Sequence, residues 1–336
     1  VVDLAVNPKN PTEFYVAYAT GGLWYTNNNG TSFTPMMDSA ETVNCGSVTV
    51  DWNSGTIWVG TGEVNASRSS YAGVGVLKSS DKGKTWENLG LKDSHHISRI
   101  WVNPSNLNEI VVAAVGHLYT INKERGIYKS TDGGKSWKQT LFVAEDAGII
   151  DLAVSKNNPK IMFAASWQKD RKAWHFDGDG EKSGIYKSED GGTSWKLIST
   201  KESGFPANDG VGRIGLALFN ENVIYAVVDN QNKRPKTALK NKLTTMLSTP
   251  GADFMEISNK ELNIALKESG FRDKYRAENI KNWVADNNME PKEVLAVLSD
   301  ANKALFETEV IGCEVYKSED GGKSWKKANQ NYIDDM

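Results

Sequence analysis

Two carboxylates occupy matching places in the sequence. Asp3 and Asp151 each open an Asp-Leu-Ala-Val segment, and Arg99 opens a related Arg-Ile-Trp-Val segment. Most glycoside hydrolases use two carboxyl groups about 5 to 9.5 Å apart across the scissile bond. Asp3 and Asp151, with Glu63 or Asp146 as further partners, could form such a pair. The alternative, which we favour, is that these charges form ion pairs between neighbouring structural repeats.

A second group of residues could bind a ligand without catalysis. The cluster Trp174-His175-Phe176-Asp177 could stack on a sugar or a peptide side chain, or its aromatic rings could anchor their own loop. Both interpretations stay open. The segment Asp177-Gly178-Asp179-Gly180 has the spacing of calcium ligands but lacks the rest of an EF-hand, which favours a glycine-rich turn.

The histidines and cysteines do not predict a metal centre. His95, His96, His117 and His175 are present without an HxxxH or HExxH pattern, so solvent-facing or hydrogen-bonded imidazoles are the simpler interpretation. Cys45 and Cys313 are too far apart in sequence to suggest a zinc site or a disulfide framework. We therefore expect no metal and no cofactor.

Composition excludes several classes of protein. The chain has 336 residues, 24% charged residues and a formal net charge of -3, which argues against a disordered chain and against nucleic-acid binding. No apolar run approaches the roughly 18 residues of a membrane span. The sequence begins Val1-Val2-Asp3, which suggests a processed protein or a piece of a longer one.

An acidic octapeptide recurs along the chain, with the pattern Ser/Thr-x-Asp-x-Gly-x-Thr/Ser-aromatic. Four copies cover residues 79–86, 130–137, 188–195 and 318–325, and a weaker copy covers residues 26–33. The shared acids are Asp81, Asp132, Asp190 and Asp320, and the terminal aromatic residues are Trp86, Trp137, Trp195 and Trp325. A catalytic site needs one constellation, whereas this pattern recurs, so we interpret the octapeptide as a structural turn in which Asp accepts backbone N–H groups.

The octapeptides divide the chain into units of about 50 residues, each with four short β-rich runs separated by Gly, Asn, Asp and Pro. This pattern predicts an all-β protein, a β-propeller of four-stranded blades with strands A to D. Five blades are recognisable, and we expect them to be part of a larger ring. The octapeptide joins strands C and D.

The repeat resembles the Asp-box (BNR) repeat of sialidases, xyloglucanase-type glycosidases, sortilin-type receptors and photosystem II assembly factors. The segments Gly60-Thr61-Gly62-Glu63-Val64-Asn65 and Gly184-Ile185-Tyr186-Lys187-Ser188 resemble exported bacterial proteins that are sortilin-like or glycosyl-hydrolase-like. The resemblance implies a secreted bacterial protein, extracellular or periplasmic, whose octapeptides face away from the ligand. Sialidase activity is not expected, because no Arg-Ile-Pro motif precedes the first octapeptide.

One segment departs from the repeat. Residues 236–310 change to a helical pattern, with helices expected near residues 237–247, 261–269, 277–286 and 291–306. We therefore divide the chain into residues 1–235 (four blades and half of the fifth), a helical insert at 236–310, and the rest of the fifth blade at 311–336. The insert could be a lid over the ligand or a decoration with its own core.

Ligand-binding residues are expected on the B–C and D–A connections, which differ greatly in length between blades. The candidates are Glu63, Arg68, Tyr71, His96, Arg99, Asp151, Trp174, His175 and Asp177. The sequence thus predicts an exported binding or scaffold propeller for a peptide, protein or glycan. A paired-carboxylate glycoside hydrolase of the xyloglucanase type is the alternative, and no catalytic residue is assigned.

Overall fold

The computed structural model describes residues 1–233, 242–268, 275–286, 289–293 and 310–329. The chain forms two compact units, one of residues Val1–Asn232 with Ile311–Met336 and the other of residues Lys233–Val310.

The first unit contains five four-stranded antiparallel sheets, each built from strands in chain order. Sheet 1 contains β1 (Asp3–Val6), β2 (Phe14–Tyr18), β3 (Gly22–Thr26) and β4 (Thr34–Pro35). Sheet 2 contains β5 (Cys45–Asp51), β6 (Thr56–Thr61), β7 (Val76–Ser79) and β8 (Glu87–Asn88). Sheet 3 contains β9 (Ile97–Val102), β10 (Ile110–Ala114), β11 (Gly126–Ser130) and β12 (Lys138–Leu141).

Sheets 4 and 5 complete the series. Sheet 4 contains β13 (Ala147–Val154), β14 (Met162–Gln168), β17 (Gly184–Ser188) and β18 (Lys196–Leu197), and a small hairpin of β15 (Asp170–Arg171) and β16 (Phe176–Asp177) lies between its second and third strands. Sheet 5 contains β19 (Val211–Leu218), β20 (Ile224–Lys233), β21 (Val310–Ser318) and β22 (Lys326–Lys327). The prediction of an all-β fold with four-stranded repeats is confirmed.

The sheets pack face to face in chain order. The first strands of successive sheets, β1, β5, β9, β13 and β19, contact one another. We call the face of a sheet that meets the next sheet its forward face, and the opposite face its backward face. Tyr15 and Ala17 on the forward face of sheet 1, for example, share a core with Val48 and Val59 on the backward face of sheet 2. Strands β6 and β10 are buried on both faces, which explains why their sequences are apolar without alternation.

Each acidic octapeptide links the third and fourth strands of its sheet through a closed set of hydrogen bonds. In sheet 2 the Ser79 hydroxyl donates to Asp81 Oδ1 at 2.8 Å and accepts the Gly83 N–H at 2.7 Å. Thr85 donates its hydroxyl to Asp81 Oδ2 at 2.6 Å and its N–H to Oδ1 at 2.9 Å. The terminal Trp86 then donates its indole N–H to Met36 O, which lies between sheets 1 and 2 in the chain. The turn therefore holds its own hairpin and also contacts the preceding repeat.

The other octapeptides repeat this pattern around Asp132, Asp190 and Asp320. The donated hydroxyl and backbone hydrogen bonds lower the pKa of Asp132 and Asp320 to about 2. Burial opposes this shift in Asp190, yet its pKa is also about 2. Gly134 has a φ of 93°, a left-handed backbone conformation that favours glycine. A Cβ atom at this position would also come too close to Leu89 Cδ1.

One ion pair changes place between repeats. In sheet 3, Glu109 at the start of the second strand pairs with Lys129 Nζ at 3.0 Å. In sheet 4, Ile161 occupies the equivalent position, and Lys187 pairs at 2.8 Å with Glu189 of the octapeptide. The lysine thus keeps a carboxylate partner although the source of the carboxylate differs.

The second unit is helical. Its described residues include α1 (Lys242–Leu247), α2 (Gly251–Glu256), α3 (Asn259–Glu268) and α4 (Ala277–Asp286), and residues 291–293 are helical as well. Helices α1 to α4 share a core of Leu243, Leu247, Phe254, Leu262, Ala265, Leu266, Ala277, Ile280 and Val284. The helix predicted at 277–286 is confirmed, and α3 begins two residues earlier than predicted, with Ser258 Oγ accepting the Glu261 N–H at 3.1 Å. Helix α2 was not predicted, and the expected helical residues 237–241 and 294–306 lie outside the described residues.

Candidate functional site

Three connections between second and third strands meet at one end of the sheets. They are residues 63–71 of sheet 2, 117–125 of sheet 3 and 169–183 of sheet 4, and we call their surface the loop face. Tyr119 joins the first two, because its hydroxyl donates to Ser67 O at 2.9 Å and accepts the Ser70 N–H at 2.7 Å. Arg213 at the start of sheet 5 reaches Asn65 Oδ1 at 3.5 Å. Residues far apart in sequence thereby form one surface.

The connection at 63–71 turns inward and fills the space between the sheets. Val64 and Ala66 are buried and share a core with Leu118, Trp167 and Val211. Burial of two apolar side chains fixes the loop, while the exposed Arg68 and Tyr71 of the same loop face solvent. The candidate Glu63 lies at the start of this loop and is half-buried.

The connection at 117–125 is wrapped around two buried cations. Arg125 donates to Asn122 Oδ1 at 2.9 Å through Nε and to the carbonyls of His117 and Thr120 at 3.2 Å through Nη2. Lys169 Nζ donates to Leu118 O at 2.8 Å and to His117 O at 3.3 Å. Burial, followed by the nearby Arg125, lowers the pKa of Lys169 to about 7. The backbone of this loop therefore takes its shape from two buried cationic side chains, one from the loop itself and one from the residue that directly follows β14.

Three histidines gather beneath the loop face. The rings of His95 and His117 stack with centroids 3.8 Å apart. His117 Nε2 contacts Asp93 O at 3.0 Å. His96 is buried, its Nδ1 has no hydrogen-bond partner in the described structure, and burial followed by repulsion from His95 lowers its pKa to about 3. Among the described residues, no group of three or more His, Cys, Asp or Glu side chains is arranged to hold a metal ion.

The hairpin of β15 and β16 carries the most exposed aromatic residue of the loop face. Trp174 stands near its tip with 85% of its surface exposed. The ring of Phe176 lies 5.0 Å from the Arg171 guanidinium and packs edge-on against Trp167 with centroids 6.1 Å apart. Trp167 in turn donates its indole N–H to Gly178 O at 2.7 Å. The hairpin is thus anchored by its other aromatic residues, and Trp174 projects from an anchored support.

His175 and Asp177 lie on the same hairpin and pair with each other. His175 Nε2 is 2.9 Å from Asp177 Oδ1, and both side chains are more than half exposed. The neighbouring Asp179 has a raised pKa because of burial and, next, the nearby Asp177. Repulsion from the Asp177 carboxylate adds to the effect of burial, so the protonated form of Asp179 is favoured more than in an isolated aspartate.

The acids on the first strands have structural partners. Asp151 accepts Arg99 Nε at 2.9 Å through Oδ1 and the Leu216 N–H of sheet 5 at 2.8 Å through Oδ2. Asp3 likewise accepts the Val48 N–H of sheet 2 at 3.0 Å. Each carboxylate therefore ties the first strand of its sheet to the first strand of the next. Asp151 also forms an ion pair with Arg99 of the preceding sheet, whereas the bonds given for Asp3 come from backbone N–H groups.

The remaining candidate acid is also paired. Asp146 accepts Lys182 Nζ and Gln168 Nε2, both at 2.8 Å. The structure thus brings Arg99 to Asp151 and His96 to His95, and it places Trp174 with its hairpin partners rather than with the strand acids. Sequence reasoning missed the roles of Tyr119, Arg125, Trp167, Lys169 and Arg213. The contacts of Tyr119, Lys169 and Arg213 span about 50 residues or more, for which no local pattern exists. Arg125 and Trp167 donate to residues of nearby turns, which no motif in the sequence indicates.

No helix among the described residues is long and apolar enough to cross a membrane.

Sheets of four antiparallel strands, packed in chain order with unlike loops at one end, define a β-propeller protein. Comparison with known proteins narrows this class. The model of the Sortilin-Vps10 family (sortilin, neurotensin receptor 3) matches residues 75–277, more than half of the chain. The chain therefore belongs to the Sortilin-Vps10 family.

Individual relatives cover different shares of the chain. The vacuolar protein sorting/targeting protein 10 of Kluyveromyces lactis is 36% identical over 86 residues, which are 25% of this chain and 5% of that protein. An ancestral GH74 enzyme of known structure matches with a TM-score of 0.50 at 20% identity, over 69% of this chain and 28% of that one. The GH74 xyloglucanase of Xanthomonas campestris matches with a TM-score of 0.49 at 14% identity, over 98% of this chain and 45% of that one.

These comparisons confirm the resemblance to sortilin-like proteins and, in fold alone, to a GH74 enzyme. The chain spans only a small part of the length of the yeast relative and less than a third of the ancestral enzyme. The likeness to the ancestral enzyme concerns the fold, because the sequence identity is low.

Proposed function

We propose that this protein binds a polypeptide ligand on its loop face and acts outside the cytoplasm, in the extracellular or periplasmic space. Binding, rather than catalysis, is the role that the side chains of this face are equipped to perform. A glycan is the competing ligand, and a paired-carboxylate glycoside hydrolase is the competing function.

The observation that carries the proposal is the exposure of Trp174 on an anchored hairpin. Tryptophan, tyrosine and arginine supply most of the binding energy in protein interfaces, provided that little order is lost on binding. Trp174 has a support fixed by Phe176 and Trp167, and Tyr71 stands on a loop fixed by Val64 and Ala66. Exposed rings on pre-ordered loops can therefore bind without first ordering the backbone.

The names of the relatives support the choice of a polypeptide. The family description names a neurotensin receptor, and the yeast relative is named for protein sorting and targeting. A chain of this family with a rigid aromatic surface is suited to bind a peptide or protein in the same general manner. The same membership is the support for a location outside the cytoplasm.

The competing hydrolase requires two carboxyl groups free to transfer a proton and to attack or activate water. Asp151 accepts hydrogen bonds from Arg99 and from the backbones of Leu152 and Leu216. Those bonds occupy the lone pairs that catalysis would use. Among the candidate acids, the half-buried Glu63 is the best remaining candidate for a catalytic carboxylate of a hydrolase.

Selection from a displayed peptide library on the immobilised protein tests the binding proposal. Affinities of a selected peptide are then measured by calorimetry for the wild type and for Trp174→Ala, Tyr71→Ala and Leu197→Ala. Leu197 is the matched control, since it is an exposed apolar residue on the fourth strand of sheet 4. We expect Trp174→Ala to weaken binding about tenfold or more and Leu197→Ala to leave it unchanged. Failure to select any peptide, or equal affinities in all variants, would contradict the proposal.

A parallel assay of the wild type on xyloglucan and related polysaccharides tests the hydrolase. Asp151→Asn and Asp3→Asn both weaken a backbone contact between first strands, and Asp151→Asn also breaks the ion pair with Arg99, so it should lose more stability. Hydrolysis by the wild type that is lost in either variant while that variant remains folded would establish the hydrolase instead. Binding of an oligosaccharide without cleavage would indicate that the ligand is a glycan rather than a polypeptide.

A further inference from the structure

The octapeptides of sheets 4 and 5 enclose a cavity of about 420 Å³, a volume in the range of small-molecule sites. The octapeptides join third strands to fourth strands, whereas the loop face joins second strands to third strands, so the cavity lies at the opposite end of the sheets. Buried Gly321 and Gly322 of sheet 5 and half-buried Trp195 and Ile198 of sheet 4 are part of its lining. All of its lining residues come from these two consecutive repeats.

The corresponding gap between sheets 3 and 4 is bridged by a lysine. Lys129 on the third strand of sheet 3 donates to Gly191 O at 2.7 Å and to Thr193 Oγ1 at 3.2 Å, both in the octapeptide of sheet 4. Glu109 pairs with the same ammonium group at 3.0 Å. Lys129 therefore uses its donors for contacts that join the two sheets.

Lys187 occupies the same position in sheet 4 but does not bridge to sheet 5. Ile161 stands where sheet 3 has a carboxylate, and Lys187 pairs at 2.8 Å with Glu189 of its own octapeptide. Among the described residues, Lys187 makes no hydrogen bond to Gly321, the counterpart of Gly191 in sheet 5. An ammonium group has three N–H donors. Lys187, with 16% of its side chain exposed, therefore brings unused donors to the lining of the cavity.

Two further lysines line the exposed part of the cavity. The ammonium groups of Lys196 and Lys323 have no hydrogen bond within the described structure. The hydrogen bond from Lys187 and its charge, followed by the charges of Lys323 and Lys196, lower the pKa of Glu189. The other acid, Asp190, has both oxygens occupied inside its own octapeptide. Three ammonium groups thus share one available carboxylate, which leaves positive charge unbalanced around the cavity.

We propose that this cavity binds a saccharide unit that carries an anionic group, either a carboxylate or a sulfate ester. Lysine attracts anions as a point charge, so Lys187, Lys196 and Lys323 provide for both groups. The ring of Trp195 and the side chain of Ile198 supply apolar surface against which a sugar ring can pack.

The exposed rim favours a saccharide over an apolar anion, because a ligand in an open cavity keeps part of its surface in water. Hydroxyl groups remain hydrated there while the ring and the anionic group enter. The site lies away from the loop face and does not depend on the polypeptide ligand proposed for that face.

Calorimetry at low ionic strength tests the proposal with three probes. They are a disaccharide of glucuronic acid and N-acetylglucosamine, a sulfate ester of N-acetylglucosamine, and chitobiose as the neutral sugar. We expect at least one anionic probe to bind, chitobiose to bind at least about tenfold more weakly, and the affinity to fall as salt is added. Binding of only one anionic probe identifies the anionic group.

Three results with these probes overturn the proposal. They are no binding of either anionic probe up to about 10 mM, equal binding of chitobiose, and equally tight binding of an acetylated Asp-Glu dipeptide. The last result would mean that the cavity takes acidic peptides rather than saccharides.

A matched pair of lysine variants locates the binding. Lys135 occupies in the octapeptide of sheet 3 the position that Lys323 occupies in sheet 5, and it does not line the cavity. Lys323→Gln should weaken binding of the anionic probe about fivefold or more, because one charge is lost from the site. Lys135→Gln, with the same change of net charge, and Trp174→Ala on the loop face should leave it unchanged. Equal losses in Lys323→Gln and Lys135→Gln overturn the assignment to this cavity.

A charge-neutral double variant tests the role of Lys187. Ile161→Glu with Glu189→Thr copies the residues of sheet 3, so Lys187 should turn to the octapeptide of sheet 5 and bind the probe at least about tenfold more weakly. Unchanged affinity in the double variant, shown to be folded by urea unfolding, overturns the proposal. If the double variant does not fold, Glu189→Thr alone decides, because removal of the competing carboxylate must tighten binding and equal or weaker binding contradicts the site.

Discussion

The acidic octapeptides and the connections of the loop face are both turns between strands, yet they satisfy their polar groups in opposite ways. An octapeptide closes its hydrogen bonds within eight residues, as Asp81 does with Ser79 and Thr85. The connections of the loop face depend on distant partners, as Tyr119 does with Ser67 and Ser70. A turn that is complete in itself can be copied into every repeat, whereas a turn completed by its neighbours differs in each.

This difference separates residues that stabilise the fold from residues that can serve a ligand. The copied turns hold their charged groups in saturated networks, which leaves little for chemistry. The unlike connections expose large rings and, among the described residues, retain a buried polar atom without a hydrogen-bond partner, Arg171 Nε. Experiments that perturb one region and spare the other measure how complete the separation is.

The largest expected effect concerns the pH dependence of His96. Its pKa in the folded protein is about 3, below the ordinary value of 6.5, so the unfolded chain binds a proton first as the pH falls. Stability is therefore fully present above pH 6.5 and is lost as the pH falls toward 3. We expect the free energy of unfolding to drop by on the order of 3 kcal/mol between pH 6.5 and 4 from this residue alone.

Urea unfolding of the wild type and of His96→Phe at several pH values measures this loss. The variant should show a flatter pH dependence, and the exposed His175→Phe should behave like the wild type. Equal pH dependence in all three proteins would mean that His96 gains a proton in the folded state.

A smaller loss is expected from the octapeptide of sheet 3. The buried Ser130 hydroxyl donates to Asp132 and accepts the Gly134 N–H at 2.9 Å. Ser130→Ala leaves a buried N–H without a partner, which costs about 2 kcal/mol. Thermal and urea unfolding measure this value, and the exposed Thr131→Ala in the same octapeptide should change stability by less than about 0.5 kcal/mol. Similar losses in both variants would show that the octapeptide is not held by the buried hydroxyl.

The ion pair whose carboxylate differs between sheets 3 and 4 provides a third test. It shows whether this part of one repeat can be exchanged for that of another. Glu109→Ile copies the residue found in sheet 4 and leaves the half-buried Lys129 without its carboxylate, at an expected cost of about 1 kcal/mol. Adding Thr131→Glu copies the octapeptide acid of sheet 4 and should recover about half of the loss. A double-mutant cycle in urea measures this coupling, and strictly additive effects would show that the arrangement of sheet 4 does not transfer to sheet 3.

The fold was predictable from sequence to the extent that contacts are local. The octapeptides contain their own hydrogen-bond partners, so their recurrence predicts strands three and four of each sheet directly. The helix at Ala277–Asp286 was predictable for the same reason, since its apolar spacing is a property of one segment. Short α2 has no comparable periodicity and was missed.

The candidate site was less predictable because its contacts are not local. The sequence indicated that Asp3 and Asp151 occupy equivalent positions. It did not indicate that each carboxylate accepts an N–H from the next sheet, because that contact depends on how the first strands pack. Nothing around Lys169 in the sequence indicates that it binds the carbonyls of residues about fifty positions earlier. The exposure of Trp174, beside an anchored Phe176, likewise follows from the packing of Trp167.

The smallest expected effect on stability is that of Trp174→Ala, and it makes the comparison between the two regions most direct. Trp137 ends the octapeptide of sheet 3, is half-buried, and donates its indole N–H to Leu89 O at 2.7 Å. Its replacement by alanine should cost about 2 kcal/mol or more, because packing and a hydrogen bond are both lost. Trp174 has solvent on most of its surface, so the same substitution there should change the free energy of unfolding by less than about 0.5 kcal/mol. Urea unfolding and peptide binding of both variants measure the two roles separately. Trp137→Ala should unfold at a lower urea concentration and still bind the peptide when folded. Trp174→Ala should unfold like the wild type and bind the peptide poorly. A large loss of stability in Trp174→Ala would instead assign that ring to the support of its own loop.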